Sequence, residues 1–97
     1  MKTAHDTMSS IRKEIDRIDE SLIRLLAERQ RFVERAIAVK KRDGIPARVP
    51  ERIDKVIDNA RVLARAHHLD PALAETLWTE MVEWFVAHEE RALELKS

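Results

Sequence analysis

Cysteine is absent from this 97-residue sequence, so neither disulfide bonds nor thiol chemistry contribute to its fold or function. Glycine occurs only once, which excludes a glycine-rich phosphate-binding loop. No apolar run approaches the about 18 residues that a membrane-spanning helix needs. The first ten residues, MKTAHDTMSS, lack the apolar segment of a secretory signal. These absences favour a cytoplasmic protein.

The sequence also has no excess of positive or negative charge. The chain carries 18 basic and 18 acidic side chains, for a formal net charge of zero. Nucleic-acid and membrane-surface binders usually show a basic excess, so we expect neither kind of partner. The length predicts a single domain, residues 1–97, whose core is too thin for one copy to be very stable. Oligomerisation would therefore help.

The few chain-breaking residues divide the sequence into three helical segments: Gly44, Pro46, Pro50 and Pro71. The first segment covers about residues 7–42, with Thr7, Ser9 or Ser10 as the residue that caps its start. The second covers about residues 50–67 and begins on Pro50. The third begins on Pro71, is capped by Asp70, and continues towards residue 95. No strand pattern appears, so the predicted fold class is all-α.

The first predicted helix is long for a globular protein, at roughly 50 Å for a rise of 1.5 Å per residue. Its apolar face barely drifts along that length, and two shorter helices cannot cover it. We therefore expect a homodimer in which the two long helices pack on each other.

Two basic residues fall on the apolar face of this helix. At about 100° per residue, Lys40 lies within about 40° of Arg29, and so do Leu22, Leu25, Val33 and Ala36. Two interpretations are open. The charged ends reach water or pair with a carboxylate of a neighbouring helix. Alternatively, the two cations, about 16 Å apart along the helix axis, hold opposite ends of a small dianion.

Other polar residues have similar alternatives. Arg12 lies about 100° away from the apolar face, where it is either solvated or able to reach a partner chain's site. Glu89 ends an apolar line on the third helix that contains Trp78, Val82 and Phe85. His88 lies on the neighbouring line, where a histidine is usually part of the core. The adjacent histidines of HHLD diverge by about 100° and do not converge on one metal ion.

Four segments carry a family resemblance: IRKEIDRIDESLIRLLAERQRFVERAIAVK, PER, HHLD and EWFVAHEE. They resemble the all-helical class of chorismate mutases and their relative, isochorismate pyruvate lyase. The resemblance covers about residues 9–92. Its most specific feature is an arginine, a second arginine 17 residues later and a lysine 11 residues after that.

The resemblance implies an intertwined helical homodimer with two active sites, each completed by an arginine from the other chain. It implies that Arg12 is that donated arginine and that Arg29 binds a substrate carboxylate. Lys40 would bind the ether oxygen between the ring and the enolpyruvyl group, and Glu51 would accept from the ring hydroxyl. Glu89 stands where relatives have glutamine or glutamate, which suggests hydrogen-bond donation to the same ether oxygen.

The implied activity is the rearrangement of chorismate, a dianion, to prephenate, which needs no covalent intermediate, metal or cofactor. Two departures from the mutase pattern occur in the loop. Pro50 stands where mutases commonly have an arginine, and Val49 or Arg48 stands where they have an aspartate. Arg48 is our candidate for the missing cation.

The segment IP…PER and the later EW look more like the lyase. Elimination of pyruvate from isochorismate, which gives salicylate, is therefore the alternative activity. A catalytically silent helical dimer that binds a metabolite or a partner enzyme is the second alternative.

Overall fold

The computed structural model describes residues 6–94, which form three helices: α1 (Met8–Asp43), α2 (Pro50–Ala66) and α3 (Pro71–Glu94). No strand occurs within this range, so the all-α prediction is confirmed. Each described helix boundary lies within one residue of its predicted position. The predicted end of the third helix near residue 95, and the first five residues of the segment MKTAHDTMSS, lie outside the described residues.

The helix ends follow from a few capping residues. Of the three candidates for the start of α1, Thr7 is the cap, since its Oγ1 accepts from the Ser10 backbone N–H at 3.1 Å. The Asp70 Oδ1 accepts from the Ala72 N–H at 2.9 Å, as predicted for the start of α3. At the end of α2, His68 adopts a left-handed backbone (φ 62°), a conformation that histidine enters more often than most side chains.

The structure divides into two units, residues 1–34 and 35–97. The first contains the larger part of α1, and none of its described residues is buried. Nine of its apolar residues are exposed by 40% or more, where a covered helix face would bury them: Met8, Ile11, Ile15, Ile18, Leu22, Ile23, Leu25, Leu26 and Phe32. This unit offers an uncovered apolar surface.

The second unit contains the core, where α2 packs against α3. Its buried apolar residues are mostly small: Ile37, Ala47, Ala60, Ala64, Ala74, Val82 and Val86. Alanines let helix backbones approach closely but remove little apolar surface from water. The core is therefore thin, as the length of the chain predicted. Within residues 6–94, no helix combines the length and apolar character needed to cross a membrane.

Candidate functional site

The site is built around Lys40, in the last turn of α1. Gly44 ends this helix with a left-handed backbone (φ 69°), and the Ile45 N–H then donates to the Lys40 carbonyl at 2.9 Å. This is the hydrogen-bonding pattern of a glycine-terminated helix. The chain then turns so that the carbonyl of buried Ala47 accepts from Lys40 Nζ at 2.9 Å. The loop thus binds Lys40 by both its backbone and its side chain.

The second member of the site is Glu89 on α3. It is 8% exposed and is the one buried charged residue among those the structure describes. Its Oε1 accepts from Lys40 Nζ at 2.7 Å. The apolar line predicted to lead to it is confirmed, since Val82 is buried and both Trp78 and Phe85 are half-buried. A buried carboxylate needs such a partner, because an unpaired charge out of water is costly.

The contacts of the Lys40 side chain decide in part between the two interpretations of an inward-facing lysine. Lys40 does not extend to water but binds a carboxylate and a carbonyl of its own chain. An ammonium has three N–H donors, and these two contacts use two of them. The third is available to an acceptor on a ligand. The site can therefore present an ammonium in a fixed position and one directed hydrogen bond.

Arg48, the predicted substitute cation, lies in the loop next to Ala47 and binds Glu83 of α3. Its Nη2 and Nη1 donate to the two carboxylate oxygens at 2.7 and 3.1 Å. These hydrogen bonds lower the pKa of the Glu83 carboxyl from its ordinary value and raise the pKa of Arg48. Both side chains are about half exposed. The structure thus supplies Arg48 with a carboxylate of its own chain.

Glu51 lies in the first turn of α2, directly after Pro50, and is exposed. A carboxylate there interacts favourably with the positive end of the helix dipole. The residue before Pro50 is extended (φ −120°, ψ 96°), as expected ahead of a proline. Glu51 does not take part in the hydrogen bonds that join Lys40, Ala47 and Glu89.

Arg12 and Arg29 belong to the first unit, with Arg12 exposed and Arg29 half-buried. They are 17 positions apart on one helix, which separates their backbones by about 26 Å at 1.5 Å per residue. A single small dianion cannot contact both arginines of the same chain without spanning most of that distance. Their roles as substrate ligands stay predictions.

The aromatic residues of α3 form a cluster next to Glu89. The rings of Trp84 and His88 are stacked, with centroids 5.5 Å apart and planes inclined by 15°. Phe85 contacts the Trp84 ring edge-on at 5.1 Å. His88 is half-buried, which agrees with the interpretation of a packed rather than a solvated histidine. Trp84 remains 55% exposed.

A cavity of about 260 Å³ lies elsewhere, between α2 and α3. Three of its six lining residues carry carboxylates, and one is a cation: Asp54, Ile57, Asp58, Arg61, Glu75 and Thr79. Arg61 donates to Glu75 at 3.0 Å and also pairs with Asp58. A cavity with this excess of negative charge is unsuited to a dianion. None of the predicted site residues lines it.

The fold and the site define a small all-helical protein with an inward-facing ammonium–carboxylate pair. The chain belongs to the family described as chorismate mutase type II, whose sequence profile matches residues 11–90. It is 30% identical over 89 residues to a chorismate mutase of Methanocaldococcus jannaschii, covering 92% of this chain and 90% of that protein. The family membership inferred from the sequence is thereby confirmed.

Two further relatives carry other activities in their names. An isochorismate pyruvate lyase of Pseudomonas aeruginosa is 32% identical over 92 residues, covering 92% of this chain and 89% of the lyase. A bifunctional chorismate mutase/prephenate dehydratase of Aquifex aeolicus is 40% identical over 53 residues. That match covers 55% of this chain but only 15% of the bifunctional protein.

Proposed function

We propose that this protein is a chorismate mutase, which converts chorismate to prephenate. The observation that carries the proposal is the Lys40 ammonium, held by Glu89 and the Ala47 carbonyl in a chain of the chorismate mutase family. The reaction is intramolecular, so the protein has no nucleophile, metal or cofactor to provide. It has to hold one folded conformer of the substrate and stabilise the charge that develops as the bond breaks.

In the rearrangement, the bond between the ring carbon and the ether oxygen breaks while the enolpyruvyl methylene carbon forms a C–C bond to another ring carbon. Negative charge accumulates on the ether oxygen as its bond to the ring stretches. The third N–H of the Lys40 ammonium donates to that oxygen, and this hydrogen bond strengthens as the charge grows. Because the ammonium is already fixed by two acceptors, little reorganisation accompanies the step.

The two carboxylates of the substrate require further cations. We assign one carboxylate to Arg29 of the same chain and the other to Arg12 of a second copy. The length of helix between Arg12 and Arg29 supports this division. In this assignment Glu51 accepts from the ring hydroxyl. Arg48 is the remaining candidate for a carboxylate, provided that it leaves Glu83.

The proposal of a homodimer is based on the uncovered apolar surface of the first unit. Each Ile, Leu or Phe side chain contributes about 1.5–3 kcal/mol when it moves from water to a packed interior. The exposed residues between Met8 and Phe32 therefore favour association strongly. A second copy offers the same apolar surface and adds no net charge, so α1 packing on α1 is the arrangement we propose. The cytoplasmic location stays a prediction.

Isochorismate pyruvate lyase activity is the second candidate. It is favoured by the similarity to the Pseudomonas aeruginosa lyase, which covers nearly the whole chain. It is also favoured by Pro50, which stands where mutases commonly have an arginine. The same cations would then assist loss of pyruvate from isochorismate and leave salicylate.

One assay separates the candidates. Purified protein is incubated with chorismate and, separately, with isochorismate, and prephenate, salicylate and pyruvate are measured. We expect prephenate from chorismate. Salicylate with pyruvate as the dominant outcome would assign the lyase reaction instead. Formation of none of these products would leave a catalytically silent helical dimer that binds a metabolite or a partner enzyme.

Glu89→Gln should identify the role of Glu89. The amide oxygen of glutamine can accept from Lys40 Nζ as Glu89 Oε1 does. The amide nitrogen can donate to the ether oxygen, whereas a carboxylate repels an oxygen that becomes negative. We therefore expect Glu89→Gln to stay active, as measured by kcat/KM for chorismate.

The matched control is Glu90→Gln, which changes the exposed neighbouring carboxylate and should keep the wild-type kcat/KM. An inactive Glu89→Gln variant would contradict hydrogen-bond donation from position 89 to the ether oxygen. His88 would then be the next residue to substitute.

A further inference from the structure

The loop between α1 and α2 has little conformational freedom of its own. Pro46 and Pro50 have fixed φ angles, and the residues that precede them are restricted to extended conformations. Between positions 45 and 50, two residues escape both restrictions: Ala47 and Arg48. Beyond Gly44, which ends α1, any adjustment of this loop relative to α3 is therefore concentrated at these two residues.

These same two residues make the loop's contacts to charged side chains. The Ala47 carbonyl accepts from Lys40 Nζ at 2.9 Å, and the Arg48 guanidinium binds both oxygens of Glu83 at 2.7 and 3.1 Å. A two-point guanidinium–carboxylate contact fixes orientation as well as distance. Glu83 thus restrains Arg48, and the adjoining peptide unit carries the carbonyl that orients Lys40.

We propose that Glu83 is a positioning residue for the reaction, acting through Arg48 and Ala47 on the Lys40 ammonium. The proposal rests on the proposed function and extends it to a residue with no contact to the substrate. Without Glu83, the Ala47 carbonyl moves relative to Lys40 Nζ, and Glu89 alone sets the direction of the ammonium. The N–H aimed at the ether oxygen is then misdirected for part of the time.

Surface ion pairs of this exposure generally contribute little to stability. Loss of the Arg48–Glu83 contact should therefore leave the fold intact and appear in turnover. The hydrogen bonds from Arg48 hold the pKa of Glu83 below its ordinary value, so the carboxylate stays ionised at neutral pH. The pair is accordingly formed under ordinary assay conditions.

The test is Glu83→Gln, assayed with chorismate at neutral pH. We expect kcat to fall about tenfold with KM changed less than about twofold, because binding contacts are retained while a transition-state contact is misaligned. The exchanged pair Arg48→Glu/Glu83→Arg should recover most of the lost kcat. The control is Glu75→Gln, which removes a comparably exposed carboxylate from the Arg61 pair and should leave both parameters unchanged.

A readout without turnover separates this proposal from the proposed function. The ¹⁵N-labelled ammonium of Lys40, assigned by its loss in Lys40→Arg, should give a slowly exchanging signal in the wild type. That signal should broaden or vanish in Glu83→Gln and persist in Glu75→Gln. This result supports the positioning role even if the wild type converts neither chorismate nor isochorismate.

Two results would overturn the proposal. An unchanged Lys40 signal with unchanged kcat would reduce the Arg48–Glu83 contact to a surface ion pair. A several-fold decrease in KM for Glu83→Gln would show instead that Arg48 is a substrate ligand which Glu83 withholds.

Discussion

Lys40→Met lowers kcat by on the order of 10²-fold or more, the loss expected when a donor to a developing oxyanion is removed. The reason lies in the geometry of the site. Methionine keeps the length of the side chain but has neither the charge nor the third N–H that reaches the ether oxygen. Steady-state kinetics with chorismate measures the change. An effect on KM alone would assign Lys40 to substrate positioning.

The substitution also affects the fold, since it leaves the buried Glu89 without its ammonium partner. The double variant Lys40→Met/Glu89→Gln removes that unpaired charge and should unfold close to the wild-type temperature while remaining slow. Lys41→Met is the matched control, because Lys41 is the exposed neighbour in the same helical turn. It should retain wild-type kcat. An active double variant would contradict the role of Lys40.

Inactive Arg12→Ala and Arg29→Ala chains should regain activity when they are mixed. If each site takes Arg29 from one chain and Arg12 from the other, a mixed dimer contains one site with both arginines intact. Random reassociation makes half of the dimers mixed, so about a quarter of the wild-type activity should return. The chains are unfolded and refolded together before the mutase assay.

Parents that are refolded separately and then combined without exchange should stay inactive, which controls for residual activity. Arg24→Ala changes an arginine that pairs only locally with Glu20, at 3.7 Å, and should remain active by itself. If the reassociated mixture is as inactive as its parents, the model of sites shared between two chains is wrong.

Much of the fold could be predicted from where the sequence interrupts helix formation. Gly44, Pro50 and Pro71 mark helix ends or starts within one residue, because left-handed and fixed-φ residues have few alternative positions in an all-helical chain. The line leading to Glu89 was also predictable. Residues at helical spacing share a face whatever the tertiary structure, so the inward positions of Lys40 and Glu89 could be predicted. Their contact, which joins α1 to α3, could not.

The contacts of the loop could not be predicted in this way. Arg48 was expected to meet the substrate, but its binding to Glu83 depends on how six residues without helical periodicity fold back onto α3. The Ala47 carbonyl carries no side-chain signal at all. Glu83 looks like any solvated carboxylate on a helix surface. Spacing rules apply within an element, and these contacts join different elements.

The single glycine gives the chain an unusual genetic constraint. A methyl group added at Gly44 would meet no atom within 4 Å, so an added Cβ atom has room there. What a replacement lacks is the torsion, because the left-handed backbone costs a non-glycine residue about 1–2 kcal/mol. If the backbone relaxed to relieve that strain, the loop that carries Ala47 would shift. A substitution at Gly44 would thus cause no steric clash at Cβ but would lower kcat by moving the loop. Asparagine would be the mildest replacement, because it adopts the left-handed backbone more readily than most residues.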